Sequence, residues 1–320
     1  MRNCSLGNPM KQWEPVYLET HRRGLLQAKI DAAYEILSQC TLCPRNCLVD
    51  RHHGELGRCR TGDKPVVSSY APHFGEEDPL VGRHGSGTIF FTHCNLYCLF
   101  CQNYEISHGG QGEEVGVQDL AAMMLILQKR GCHNINFVTP SHQVYQILAA
   151  LPGAIEGGLN IPLVYNSGGY DALDTLRLLD GVVDIYMPDF KFWDPAVAKD
   201  LCEAEDYPEI ARQAVKEMHR QVGDLAVDEN GVARRGLLVR HLVLPGDLAG
   251  TRGIMEFLAR EVSPRTYVNV MGQYRPCGRA GEHPVLRKFL TALEHEEAQQ
   301  QAREAGLTRL DRREKLFRWL

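Results

Sequence analysis

The chain has 320 residues, of which 44% are hydrophobic, enough to bury the core of one large domain or two modest ones. Its formal net charge of −5 is spread over mixed acidic and basic residues, which disfavours a nucleic acid partner. No run of about 18 apolar residues could span a bilayer, and the N-terminus lacks the apolar core of a signal peptide, so we expect a cytoplasmic protein that does not bind membranes.

Four regions follow one another along the chain. Residues 1–39 carry apolar residues at helical spacing and predict an N-terminal helical arm. Residues 40–87 hold four cysteines and a stretch rich in Gly and Pro, which predicts a metal-binding, loop-rich extension. Within it, SYAPHFGEEDP predicts a solvated acidic loop containing Glu76 and Glu77. Residues 88–285 predict the main domain, and the charge-laced tail, 286–320, predicts a covering helix.

The main domain shows six short apolar runs separated by helical patterns. Continuously apolar strands in such an alternation predict a parallel sheet that is covered on both faces. Six units are too few for an eight-stranded barrel and predict an α/β fold with a partial (β/α)6 barrel, whose catalytic groups lie at the carboxyl ends of the strands. Gly131 is expected to end one helix and Thr251 to cap another. The predicted strands are 88–93, 135–139, 162–167, 182–189, 238–245 and 266–272.

Cysteines are unusually frequent and grouped. Eleven cysteines in a chain without a secretion signal indicate metal binding rather than a disulfide framework. Cys40, Cys43, Cys47 and Cys59 follow the spacing CxxCxxxCx11C. Four thiolates of this kind suit structural zinc or a rubredoxin-like iron, and equally a second, fully ligated [4Fe–4S] cluster. A group without metal is the remaining alternative.

A second group of cysteines directly follows the first predicted strand. The segment HCNLYCLFCQN places Cys94, Cys98 and Cys101 in one loop. Clusters are normally held by four cysteines, so three thiolates can hold three irons of a cubane and leave the fourth iron open for a ligand. The alternative is zinc with His93 or His108 as a fourth ligand.

The CxxxCxxC spacing, with Phe100 before the last cysteine, resembles the motif of the radical S-adenosylmethionine (SAM) superfamily. The resemblance is closest to the pyruvate formate-lyase activating enzyme-like proteins, which are related to the activases of glycyl-radical enzymes. It extends over most of residues 40–280, through CTLCPRNC, SYAPHFGEEDPLVGRHGSG and VLPG. It implies a [4Fe–4S] cluster whose open iron binds SAM, reductive cleavage of SAM to a 5′-deoxyadenosyl radical, and abstraction of a hydrogen atom from a substrate.

The resemblance also implies roles for residues at later strand ends. The segment MPDFK is similar to one in which a Met and an Asp line a monovalent cation site and a Lys contacts SAM. These roles would fall on Met187, Asp189 and Lys191. Arg240 matches an arginine that contacts SAM from the fifth strand.

Two strand ends depart from the family pattern. Asn166 and Ser167 stand where the activases commonly have Asp and Thr, so a neutral amide replaces a charge. At the second strand, NFVTPSHQ replaces a Gly-Gly-Glu type segment. There we expect backbone groups near Thr139 and Pro140 to meet SAM, with Ser141 and His142 facing the pocket. After the sixth strand, Tyr274 and Cys277 are candidates for donating a hydrogen atom.

Three functions remain open at this point. The first is activation of a glycyl-radical partner, which implies a protein or peptide substrate and an electron donor such as flavodoxin or ferredoxin. The second is radical SAM modification of a peptide, a metabolite or RNA. The third is a non-catalytic iron–sulfur electron carrier. The segment QNYEISHGGQGEEVG contains no cysteine, so the chain lacks the insertion that carries additional clusters in many activases.

Overall fold

The computed structural model describes residues 13–311, so the start of the predicted arm, 1–12, and the end of the predicted tail, 312–320, lie outside the described residues. The helices are α1 (Val16–Arg22), α2 (Leu25–Ile36), α3 (Asp78–Val81), α4 (Tyr104–Ser107), α5 (Val117–Lys129), α6 (Val144–Glu156), α7 (Leu173–Leu178), α8 (Pro195–Cys202), α9 (Tyr207–Val222), α10 (Thr251–Phe257) and α11 (Ala292–Glu304). The strands are β1 (Val66–His73), β2 (Ser86–Phe91), β3 (Glu113–Glu114), β4 (Ile135–Val138), β5 (Leu163–Asn166), β6 (Ile185–Tyr186), β7 (Ala226–Val227), β8 (Ala233–Leu242), β9 (Tyr267–Met271) and β10 (Arg309–Leu310).

One sheet organises these elements in the order β10-β9-β8-β6-β5-β4-β2-β1-β3. From β2 through β4, β5, β6 and β8 to β9, each strand is parallel to the next one in this path. Helices intervene between them along the chain, as right-handed crossovers of parallel strands require. The path has two ends, so the sheet is open. The predicted partial (β/α)6 barrel is confirmed.

The parallel strands are buried because helices cover them. All four residues of β5 are buried, as are Ile135 and Phe137 of β4, which explains why these runs are apolar without alternation. Helix α9 buries Ala211, Val215 and Met218 on one face, at the spacing of an amphipathic helix. The apolar periodicity of the sequence therefore translates directly into this layer packing.

The two helix boundaries predicted from capping residues have different outcomes. Gly131 follows α5 with φ of +88°, the left-handed conformation that glycine adopts readily after a helix. Thr251 is the first residue of α10, whose cap is Gly250, so its prediction as the cap was wrong. Its hydroxyl instead pairs with the His241 imidazole at 2.9 Å, a long-range partner that the local sequence does not reveal.

Several boundaries also differ from the prediction. The stretch before residue 88 is not all loop, because β1 pairs antiparallel with β2 and with β3. The Pro and Gly residues around β1 hide its strand pattern. The fourth parallel strand is only two residues long, β8 begins at Ala233, and the tail is helical only over α11 before β10 pairs with β9.

The N-terminal helices are anchored at the amino ends of the parallel strands. The hydroxyl of Tyr17 donates to the carbonyl of Ile161, just before β5, at 2.9 Å. The amide of Val16 donates to the carboxylate of Asp184, just before β6, at 2.8 Å. The carboxyl ends of the strands are left to the cysteine-bearing loops. Within residues 13–311, no helix is long and apolar enough to cross a membrane.

Candidate active site

A cavity of about 1090 Å³ lies at the carboxyl ends of the parallel strands. This is the edge at which α/β barrels carry their functional groups. Each of the six parallel strands contributes to the wall, either by a residue of the strand or by one that follows its end. In chain order these residues are Phe91, Thr139, Asn166, Asp189, Arg240 and Met271.

The loop after β2 brings Cys94, Cys98 and Cys101 to one wall of this cavity. The loop is fixed by Asn95, whose amide donates to the carbonyl of Tyr170 at 2.7 Å. Two hydrogen-bond donors lie near the sulfur atoms: the amide of Leu96 is 3.3 Å from Cys94 Sγ, and the hydroxyl of Ser107 is 3.1 Å from Cys101 Sγ. Such donors stabilise a thiolate. The structure therefore brings together the three cysteines of the predicted cluster site.

The thiols differ in their electrostatic surroundings. Burial raises the pKa of Cys94 and of Cys101. A hydrogen bond with Cys202, on α8, lowers the pKa of Cys98 although Cys98 is buried. The positive charge of Lys191 acts in the same direction on Cys98. Nothing in the local sequence pattern around Cys202 indicates this contact.

Three cysteines at this spacing are the donor set of an iron–sulfur cluster with one open iron. Among the described residues, no group of three or more His, Cys, Asp or Glu side chains is arranged to hold one metal ion. Three cysteines that bind a cubane contact three different irons, so they need not converge on one point. The wide cavity beside them leaves room for a further ligand. Phe100, which precedes the third cysteine, is buried and also lines the cavity.

Opposite charges meet on the cavity wall around Asp189. Its carboxylate oxygens contact Lys191 Nζ at 2.5 Å and Arg240 Nε at 2.8 Å. Burial alone would raise the pKa of Asp189, but Arg240 and Lys191 hold it at about 2. Three predicted residues thus form one partly buried triplet with a net positive charge. Gly169 makes this possible, since a Cβ there would collide with the carbonyl of Asp189.

Two buried carboxyl groups extend this charged wall. Glu76 lies 3.5 Å from Arg240 and 3.3 Å from His73. Burial raises the pKa of Glu77, whose carboxylate accepts a hydrogen bond from Asn269 at 2.8 Å. Both side chains are less than 10% exposed, so the prediction of a solvated acidic loop was wrong. Because β1 runs antiparallel to β2, its last residue, His73, pairs with Ser86 at the start of β2. The segment that follows β1 reaches Arg240 and Asn269, contacts that the Gly-rich sequence did not indicate.

Other predicted cofactor-binding residues also reach the cavity. Thr139, with φ of +60°, lies on its wall together with Asn166 and Ser167. The Ser167 hydroxyl donates to the carboxylate of Asp171 at 2.6 Å. Asp171, which sequence reasoning missed, is buried and also accepts a hydrogen bond from Tyr165. A carboxylate thus supports this strand end from behind.

Three predicted residues have different surroundings from those expected. Met187 is fully buried in an apolar cluster with Leu80 and Ile185 and is not on the cavity wall. Both carboxylate oxygens of Asp189 pair with Lys191 and Arg240, and the monovalent cation site stays a prediction. Tyr274 lines the cavity, but its hydroxyl donates to the carbonyl of Leu286 at 2.5 Å. Cys277 is not among the residues that line the cavity.

The four N-terminal cysteines form a separate group. Cys40, Cys43, Cys47 and Cys59 border one small void of about 10 Å³. The adjacent His52 and His53 do not border it: one contacts the carbonyl of Tyr34, and the other contacts an aspartate. The structure therefore brings all four predicted cysteines together without these histidines.

The fold and the site define a class: an α/β protein with an open parallel barrel and a thiol-lined cavity at the carboxyl ends of its strands. The chain belongs to the same family as the uncharacterized protein MJ0674 of Methanocaldococcus jannaschii, with 33% identity over 301 residues, covering 91% of this chain and 82% of that protein. No family model matches the chain.

Two solved structures show a remote likeness. HydG, a maturase of the [FeFe]-hydrogenase, matches 70% of this chain with 10% identity and a TM-score of 0.48, and the match spans half of the HydG chain. The methylornithine synthase PylB matches 90% of this chain and 77% of its own, with 12% identity and a TM-score of 0.41. At these values neither likeness carries an argument about activity.

Proposed function

We propose that the protein is a radical SAM enzyme that abstracts a hydrogen atom from a protein or peptide. The observation that carries this proposal is the meeting of Cys94, Cys98 and Cys101 at one wall of a large cavity built from all six strand ends. When bound there, a [4Fe–4S] cluster supplies the electron that cleaves SAM, and the resulting 5′-deoxyadenosyl radical takes the hydrogen atom. An open iron site and space for a nucleoside distinguish this function from a fully ligated electron carrier.

The charged wall supplies groups for binding the cosubstrate. Lys191 and Arg240 are the cations that would meet the SAM carboxylate, as their resemblance to SAM-contacting residues suggests. Asp189 holds both side chains in place through ion pairs at 2.5 and 2.8 Å. Such preorganisation lowers the cost of binding, because the cations need not be ordered when the ligand arrives. Thr139, Asn166 and Ser167 would complete the wall around the ligand.

The mouth of the cavity favours a large substrate. Phe289 lines the cavity and is 71% exposed. Exposed aromatic side chains at the edge of a site commonly anchor a partner chain. Together with the resemblance to glycyl-radical activases, this supports a glycyl residue of a partner protein as the hydrogen donor. A flavodoxin or ferredoxin would supply the electron.

The proposal is tested by reconstituting the protein anaerobically with iron and sulfide, adding dithionite and SAM, and measuring 5′-deoxyadenosine. We expect its formation and a change of the cluster EPR signal on addition of SAM. A candidate partner carrying α-deuterated glycine should transfer deuterium into 5′-deoxyadenosine. An unchanged signal without product would overturn the radical SAM assignment, whereas product without deuterium transfer would overturn only the glycyl substrate.

The substrate class can be tested on the protein itself. Phe289→Ala should slow hydrogen abstraction from a protein partner while leaving cleavage of SAM alone unchanged. The matched control is Leu293→Ala, another mostly exposed side chain that is not on the cavity wall. Equal loss in both reactions would show that Phe289 supports the cavity rather than the partner.

A further inference from the structure

The four N-terminal cysteines surround a space rather than packing sulfur against sulfur. Cys40, Cys43, Cys47 and Cys59 all border one void of about 10 Å³, room for about one water molecule. The thiol of Cys43 interacts electrostatically with each of the other three.

The size of this space distinguishes between metals. In a tetrahedral zinc site each sulfur lies about 2.3 Å from the ion, which is far inside the contact distance between sulfur and a water molecule. Four sulfurs placed at that distance from one point would leave no room for a water-sized void between them. Four thiols spread around a void are instead suited to the four corners of a cubane, each bound to a different iron.

A buried positive charge accompanies the thiols. Arg51 is 1% exposed, and its guanidinium lies 3.8 Å from Cys40 Sγ. Its other acceptors among the described residues are the carbonyls of Gly62 and His142, and no carboxylate pairs with it there. A fully buried cation is costly unless an anion compensates it. A cluster held by four thiolates carries net negative charge and would provide that compensation.

A buried histidine borders the same void. His142 is 1% exposed, and its Nε2 donates to the carbonyl of Thr92 at 2.9 Å. Because the neutral ring carries its proton on Nε2, its Nδ1 is an acceptor and donates no hydrogen bond to a group in the void. The buried charge of Arg51 is therefore the feature that points to an anionic group here.

We propose that Cys40, Cys43, Cys47 and Cys59 hold a second [4Fe–4S] cluster, fully ligated by protein. The group lies directly behind the loop of the cavity cysteines. Tyr97, between Cys94 and Cys98, donates its hydroxyl to the carbonyl of Arg58 at 2.6 Å, next to Cys59. A redox cluster placed there is in position to pass one electron from an external reductant toward the cavity.

This inference does not depend on the proposed function, and its test keeps the two apart. The variant Cys94→Ala/Cys98→Ala/Cys101→Ala removes the cavity thiols and leaves the N-terminal group intact. After anaerobic reconstitution we expect about four irons and four sulfides per chain, and an EPR signal on reduction with dithionite that SAM does not alter. One zinc or one iron without sulfide, or no metal, would overturn the proposal.

The wild-type protein provides a second measurement if that variant does not fold. It should hold about eight irons and eight sulfides, whereas about four irons with one zinc would contradict the inference. Cys59→Ser should lose about half of the iron, and Cys132→Ser, a buried cysteine at the start of the second parallel strand, should lose none. Equal losses in both variants would also overturn it.

Discussion

The two cysteine groups are neighbours in the fold but differ in what surrounds the thiols. Those of Cys94, Cys98 and Cys101 face a cavity of about 1090 Å³ with a charged wall, whereas the N-terminal thiols border a void of about 10 Å³ together with Arg51 and His142. An open group can admit a ligand from outside, and a closed group can hold only what is built into it. The access of a ligand from outside, rather than the number of cysteines, therefore distinguishes a site where a reaction takes place from a site that holds only a resident cofactor.

The largest expected difference between the two groups concerns activity. Loss of a residue that only supports a metal ligand lowers metal affinity or activity about 10- to 100-fold. Cys98→Ala removes a ligand itself, so it should reduce 5′-deoxyadenosine formation by more than that factor. Cys43→Ala should lower the metal content but leave the cluster spectrum of the cavity group. Assays of product and iron check both. A Cys98→Ala protein as fast as wild type, or loss of the cavity spectrum in Cys43→Ala, would contradict the separation.

Next in size is the stability held by the charged wall. Asp189→Asn leaves Lys191 and Arg240, whose side chains are about one-fifth exposed, without their carboxylate. Breaking a fully buried pair costs about 3–5 kcal/mol, so the cost here should lie between that value and the value for an exposed pair. The matched control is Asp174→Asn, whose pair with Arg177 is exposed and contributes at most about 1 kcal/mol. Urea unfolding of the apo proteins measures both. Equal midpoints for the two variants would mean that the triplet does not stabilise the open site.

The elements of this wall show what the sequence could and could not predict. The apolar runs at β4 and β5 predicted their own burial, because that pattern is local. The pairing of Asp189 with Arg240 joins residues 51 positions apart, and only the sheet register brings them together. Glu76 and Glu77 look solvated in a Gly-rich segment, and the antiparallel β1 that buries them is masked by flanking Pro and Gly. Local sequence patterns therefore predict helices and strands, whereas the partner of a charged side chain depends on how distant strands pair in the sheet.

A smaller effect concerns the loss of stability in acid, which should depend on a histidine of the barrel and not on one of the extension. Burial lowers the pKa of His241 to about 4, and the neutral ring bridges the carbonyl of Phe190 and the hydroxyl of Thr251. Between pH 6.5 and about 4 the unfolded chain binds more protons than the folded one, so stability falls as the pH falls. Between pH 7 and 5 the loss is about 2 kcal/mol.

His241→Gln should remove that pH-dependent component, while His53→Asn, which changes an exposed histidine of the extension, should retain it. The comparison is made by urea unfolding of the apo proteins at pH 7 and pH 5. A His241→Gln variant with the full wild-type pH dependence would assign the acid sensitivity to other groups.

The smallest expected effect concerns the junction between the two groups. Tyr97→Phe removes the hydrogen bond from the phenol to the carbonyl of Arg58 and keeps the ring on which the Arg58 guanidinium stacks at 4.1 Å. Such a bond contributes about 1 kcal/mol, so the loss of stability should be close to that value. The cysteine-rich extension is also held by Arg45, which donates to the carbonyls of Asn95 and Cys202.

Tyr97→Phe should therefore leave the metal content unchanged, whereas Arg45→Met should lower the iron bound by both groups. Loss of iron in Tyr97→Phe alone would mean that this single hydrogen bond, and not the arginine, sets the spacing between the open and the closed group.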